Sequence, residues 1–84
     1  MISKASASFW RCFTKLPAPA QHLAHQKYQL WVANSQHPSL RFKPFRGDQW
    51  SVRVGDHYRA VGYWRDDDTF VWTWIGSHED YNRF

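Results

Sequence analysis

At 84 residues the chain has room for one hydrophobic core of ordinary size, which excludes a multidomain enzyme and predicts a single domain over residues 1–84. Apolar residues make up 43% and aromatics 19%, so the chain is expected to fold despite a mean hydropathy of -0.71. Eleven Lys and Arg against seven Asp and Glu leave a net charge of +4, a balance that favours a polyanion or an acidic protein segment as partner. Cys12 is the one cysteine and forms no internal disulfide. Met1 to Ala5 leads into polar residues rather than a signal sequence, and no stretch has the roughly 20 apolar residues that span a bilayer. The expected compartment is the cytoplasm, with no membrane as partner.

Residues 6–34 carry helical periodicity. Ser6 or Ser8 caps a short helix whose Phe9, Phe13 and Leu16 line one face. Pro17 and Pro19 end it near Leu16, and Pro19 suits the first turn of a second helix. Along that helix Ala20, Leu23, Ala24, Tyr28 and Trp31 form an apolar stripe. The Asn/Ser/Pro-rich run Asn34 to Ser39 is turn chemistry and marks the change to strands. Leu40-Arg41-Phe42-Lys43 and Trp50-Ser51-Val52-Arg53-Val54 alternate, and Tyr58 to Arg65 and Phe70 to Gly76 follow as β-rich runs. Short connections make these antiparallel neighbours. The predicted fold is α+β: a two-helix hairpin packed on one face of a four-stranded antiparallel sheet, with Leu23, Trp50 and Val52 buried.

The face away from the helices carries the charge, because Arg41, Lys43 and Arg53 fall on the polar phase of their strands. A three-residue loop Gly55-Asp56-His57 makes Val54 face Tyr58 and sets Arg53 directly opposite Arg59, whereas a two-residue loop would destroy that alignment. Like charges so opposed are destabilising unless an anion lies between them, and guanidinium groups suit phosphate oxygens. If Asp67-Asp68 closes the next hairpin, Arg65 pairs with Phe70 and Arg59 with Gly76, which brings Ser77 and His78 beside His57 and Arg59. A solvated sheet face accounts for any one of these basic residues. Their convergence with a histidine is what points to an anion.

Other polar or aromatic groups have simpler explanations. His22 and His25 sit at i, i+3 without a carboxylate or cysteine at metal-site spacing, so no metal or other cofactor is expected. Asp66-Asp67-Asp68 reads as a polar turn, and Trp72 and Trp74, which share a strand face by alternation, read as core. Cys12 has no activating partner in its helix. No phosphate-binding glycine loop, serine elbow or pair of catalytic carboxylates is present.

Three ordered segments carry a resemblance: His37-Pro38-Ser39-Leu40-Arg41-Phe42-Lys43, then Trp50 through Ala60, then Trp74-Ile75-Gly76-Ser77-His78-Glu79-Asp80-Tyr81. Together they resemble RelE/ParE-type toxins of bacterial type II toxin–antitoxin modules, over about Phe9 to Phe84. The resemblance implies the same helical hairpin on an antiparallel sheet. Many members of that family are ribosome-dependent endoribonucleases acting on mRNA, while the ParE branch poisons DNA gyrase. Tyr58-Arg59-Ala60-Val61 is similar to the strand whose arginine contacts the scissile phosphate, and His78 to the C-terminal histidine of YafQ-like members. Tyr81 falls near the family's terminal aromatic. By resemblance, then, Arg59, His78 and Tyr81 are the candidate catalytic residues, with Arg41, Lys43 and Arg53 binding RNA phosphate by their basic character. The family usually opens with a β-strand, for which Met1 to Ser6 offers only a stub.

Such a site suits RNA cleavage without metal, in which the 2′-hydroxyl attacks the adjacent phosphorus while cations hold the non-bridging oxygens. His78 can act as acid or base in it, the role for which imidazole chemistry suits a side chain. The expected partners are mRNA on the ribosome and an antitoxin whose acidic, partly disordered segment covers Arg53 and Arg59. The alternatives are a non-enzymatic inhibitor of gyrase and a degenerate binding module of the same fold.

Overall fold

The structure is a computed structural model describing residues 1–84. Strand β1 (Ile2–Ala5) leads into helix α1 (Ala7–Thr14) and helix α2 (Ala18–Ala33). A 3-10 turn (Pro38–Leu40) then precedes β2 (Lys43–Pro44), β3 (Gln49–Val54), β4 (Tyr58–Asp66), β5 (Thr69–Ser77) and a short helix α3 (His78–Tyr81). The sheet has five strands in the order β1-β5-β4-β3-β2. The helical hairpin and the antiparallel β2–β5 meander are as the sequence predicts. The fifth strand is an addition, because the N-terminal stub pairs in parallel with β5, Ile2 against Thr69 through Ala5 against Trp72.

Local chemistry explains the helix ends. Ser6 is the N-cap of α1, its side chain accepting from the Phe9 amide at 3.2 Å, and Ser8 Oγ donates to the Thr73 carbonyl at 2.9 Å, tying the helix to β5. Pro17 precedes α2 and Pro19 lies in its first turn, where a missing N–H costs no intrahelical bond. The stripe of α2 delivers Ala20 and Trp31 to the core, with Leu23 and Ala24 packed against it. Tyr28 is 41% exposed instead, stacking on Trp31 from outside.

The core lies between the helices and the sheet. Trp31 is its centre, with ring centroids 5.3 Å from Phe70, 5.0 Å from Trp72 and 5.6 Å from Phe42. Phe70 and Leu40 are fully buried, and Val52 and Val54 reach the same cluster. Trp50 and Leu23 are only half-buried against it, because they sit at its margin.

Register decides the other face. The Gly55 to His57 loop has three residues with Gly55 at φ 69°, and it sets Val54 against Tyr58 and Arg53 against Arg59, as expected. Arg59 also meets Gly76 as expected, but Arg65 does not pair with Phe70; Trp64 does. Two compensating bulges are the reason, one leaving Arg65 unpaired on β4 and one leaving Thr73 unpaired on β5. The second bulge also separates the two tryptophans that alternation puts together. Trp72 joins the core, whereas Trp74 stands against Phe84 at 4.7 Å.

Leu40 to Lys43 does not form the strand that its alternation suggests. Pro38 and the His37 side chain, which accepts from the Ser39 amide at 3.2 Å, wind this segment into a 3-10 turn. Only Lys43 and Pro44 pair with β3. Asp66 to Asp68 form a polar turn, the Asp66 carboxylate accepting from the Asp68 amide at 2.9 Å.

Candidate functional site

β3 and β4 present Arg53 and Arg59 as a directly opposed pair, which puts their backbones about 5 Å apart. Arg41 arrives differently from the sequence expectation. It lies on no strand but ends the 3-10 turn in a left-handed conformation, φ 47°, and from there its charge reaches Arg59. Lys43 is exposed on β2, opposite Ser51.

The electrostatics single out Arg59. Burial holds its guanidinium below the usual arginine range; the neighbouring Arg53 and, more weakly, Arg41 push the same way, while Tyr81 opposes them. Its one hydrogen bond is from Nη1 to the Tyr58 carbonyl at 3.1 Å. Arg53 is better satisfied, since its Nε donates to the Gly55 carbonyl at 3.1 Å and its Nη2 pairs with Asp56. The other two ion pairs of the molecule, Met1 to Asp68 and Arg83 to Asp80, lie on neither Arg41, Lys43 nor Arg59. Three cations therefore stand without a carboxylate.

The C-terminal segment roofs the rest of this face. Ser77 is the N-cap of α3, accepting from the Asp80 amide at 3.1 Å, and the His78 amide donates to the His57 carbonyl at 2.7 Å. The strand arithmetic thus brings His78 to His57, as expected, with Arg59 two residues further along β4. Tyr81 stacks on Phe45 at 4.5 Å and on His78 at 6.2 Å, and the Arg59 guanidinium lies over its ring at 5.9 Å. Its hydroxyl donates to Ser51 Oγ at 3.1 Å, and under this roof Ser51 is only 2% exposed although it lies on the polar phase of β3. Phe45, Ser51 and Asp56 are participants that residue type alone did not flag. The spacing of Asp56 from Arg53 across a three-residue loop was a usable signal for one of them.

No cluster of three or more His, Cys, Asp or Glu comes together. His25 is turned edge-on to Phe13 at 5.4 Å, and Cys12 packs half-buried against the core. An apolar cavity of about 250 Å³ opens on the other side of the sheet, between β1, α1 and α2, lined by Phe9, Trp10, Phe13 and Tyr28. It is separate from the basic face.

A family model described as a ParE-like toxin domain matches residues 21–83. The chain belongs to the ParE-like toxin family. Among solved structures, it is similar to the RelB–RelE antitoxin–toxin complex from Methanococcus jannaschii, with a TM-score of 0.73 and 18% identity over 95% of this chain and 96% of that one. The YoeB/ParE toxin from Agrobacterium tumefaciens gives a TM-score of 0.70 and 14% identity, covering 93% of this chain and 99% of that one. The toxin–antitoxin complex RelBE2 from Mycobacterium tuberculosis gives 0.66 and 23%, covering 92% and 90%. Identities this low carry the fold. No curated protein matches the chain.

Proposed function

We propose that this toxin is a metal-independent endoribonuclease that cuts mRNA in the ribosome by attack of the 2′-hydroxyl on the adjacent phosphorus. The observation that carries the reading is Arg59: half-buried, without a carboxylate, opposite Arg53 and within the field of Arg41. Such a site suits an anion whose charge grows in the transition state, since donors held in place need no reorganisation at the moment of reaction. Arg59 and Arg53 hold the non-bridging oxygens, and His78 transfers a proton. Tyr81 supports Arg59 from beneath with its ring, and Arg41 and Lys43 bind flanking phosphates. A single domain over residues 1–84 carries all of this, acting in the cytoplasm. No helix is long and apolar enough to cross a membrane.

The partner that restrains it is an antitoxin with an acidic segment. Several similar structures are toxin–antitoxin complexes containing RelB, and the uncompensated cations match such a segment, which masks Arg53 and Arg59 on binding. A second reading, inhibition of DNA gyrase by binding alone, is favoured by the match to a ParE-like model. Proton transfer separates the two. In the ribonuclease reading, inducing the protein in a bacterial host creates new 5′ ends inside translated messages. Arg59→Ala and His78→Ala abolish those ends, with losses of about 100- to 10,000-fold for a proton-transfer group. Full toxicity of both variants, with gyrase-dependent DNA damage, overturns it.

A further inference from the structure

Cleavage by 2′-hydroxyl attack moves two protons, and the site as described names one group to move them. A base must take the proton of the 2′-hydroxyl as the O2′–P bond forms. An acid must protonate O5′ as the P–O5′ bond breaks, leaving a 2′,3′-cyclic phosphate and a 5′-hydroxyl. Tyr81 is poorly placed for either task, because its hydroxyl already donates to the buried Ser51 and its ring is packed on Phe45. Asp56 is engaged by Arg53, and Asp80 pairs with Arg83 at 3.8 Å.

The β4–β5 register supplies a second group. Tyr58 faces Ser77 and Arg59 faces Gly76, the pairs that end the ladder, and His57 and His78 are the residues that immediately follow on the two sides. The His78 amide donates to the His57 carbonyl at 2.7 Å, which brings the two histidines together. His57, in the turn before β4, and His78, at the start of α3, meet where the ladder ends, beside the Arg59–Gly76 pair, with the Trp74 ring lying over Gly76. Both histidines are exposed, and the His78 ring stacks on Tyr81. The charged groups nearest them in the chain are Asp56 on the loop, Arg59 on β4, and Glu79 and Asp80 on α3; Lys15, after α1, lines a cavity together with Ser77 and Asp80.

We propose that His57 is a further catalytic residue, and that His57 and His78 are the two proton-transfer groups, one neutral and one protonated, on either side of the phosphate held by Arg59. This rests on the ribonuclease reading above. It predicts a bell-shaped pH dependence of single-turnover cleavage, since activity requires opposite protonation states of two imidazoles.

The test is single-turnover cleavage of a short synthetic mRNA bound in purified ribosomes, by the wild type, His57→Ala, His57→Gln, His78→Ala and Arg59→Ala. His57 holds His78 through its backbone carbonyl, so its side chain can be removed without loss of fold, which circular dichroism checks. The expected result is a loss of about 100- to 10,000-fold in both His57 variants, with one limb of the pH profile gone. A substrate whose scissile O5′ is replaced by sulfur, which leaves without a proton, is expected to restore cleavage in one of the two histidine→Ala variants and not the other. A structural role for His57 cannot produce that asymmetry. If His57→Ala cleaves at the wild-type rate with both limbs intact while Arg59→Ala is inactive, the ribonuclease reading stands and His57 is not part of it. If the wild type cleaves nothing on the ribosome, both fail.

Discussion

Replacing Tyr81 with Phe removes one hydroxyl and leaves the ring in place. In the folded protein that hydroxyl donates to Ser51 Oγ at 3.1 Å, and Ser51 is 2% exposed, so the serine is left buried without this donor. A stranded buried polar group costs about 1–3 kcal/mol, whereas removing both partners is close to neutral. The stack of residue 81 on Phe45 at 4.5 Å survives in the Phe variant, so no aromatic packing is lost. Tyr81→Phe should therefore lower stability by about 1–2 kcal/mol, which in a domain of this size is a fall in Tm of roughly 4–16 °C. Ser51→Ala in the same background should recover much of that loss. Thermal and urea unfolding of the two single variants and the double variant measure the coupling directly. Two single losses that simply add would show that the hydroxyl pair contributes nothing to the docking of α3, and the argument that Tyr81 is fixed as a support for Arg59 would fall with it.

Arg41→Gln relieves repulsion on Arg59 and should raise the Tm at low ionic strength, with the gain shrinking as salt screens the pair; a fall in Tm at low salt would contradict the proposed crowding of charge. Because burial and like charges disfavour the charged form of Arg59, salt is the lever that reveals the strain. Phe70→Ala empties the centre of the core and should cost about 3–5 kcal/mol, read as loss of most of the cooperative unfolding transition at 37 °C. Asp66 is held below the usual carboxylate range, first by the Asp68 amide, so its contribution is present above about pH 4 and is lost as the pH falls through its folded value. Asp66→Ala should accordingly flatten the acid limb of a stability–pH curve without changing its neutral end relative to pH 8.

Sequence alone determined what short-range chemistry controls. Ser6, Pro17 and Pro19 set the bounds of α1 and α2 because caps and missing donors act within one turn. Gly55 selected the three-residue loop, and that loop by itself opposed Arg53 to Arg59, since a hairpin's register follows from its turn. Placement of His78 next to His57 followed from the same kind of counting, even though Arg65 did not pair with Phe70. The two bulges each add one residue to a different strand, so their offsets cancel before Arg59 is reached.

Tertiary structure decided what depends on partners distant in the chain. The parallel pairing of β1 with β5 joins residues 67 apart, as Ile2 meets Thr69, and no local pattern encodes it. The Thr73 bulge took Trp74 out of the core, because alternation holds only while the ladder is regular. Arg41 reached Arg59 through a left-handed residue after a 3-10 turn rather than along a strand. The burial of Ser51 came from Tyr81, thirty residues later, folding back over a face that strand periodicity alone assigns to solvent. Side-chain pattern fixes which residues share a strand face, but what covers that face is set by chain segments whose docking energy appears only once the whole sheet has formed.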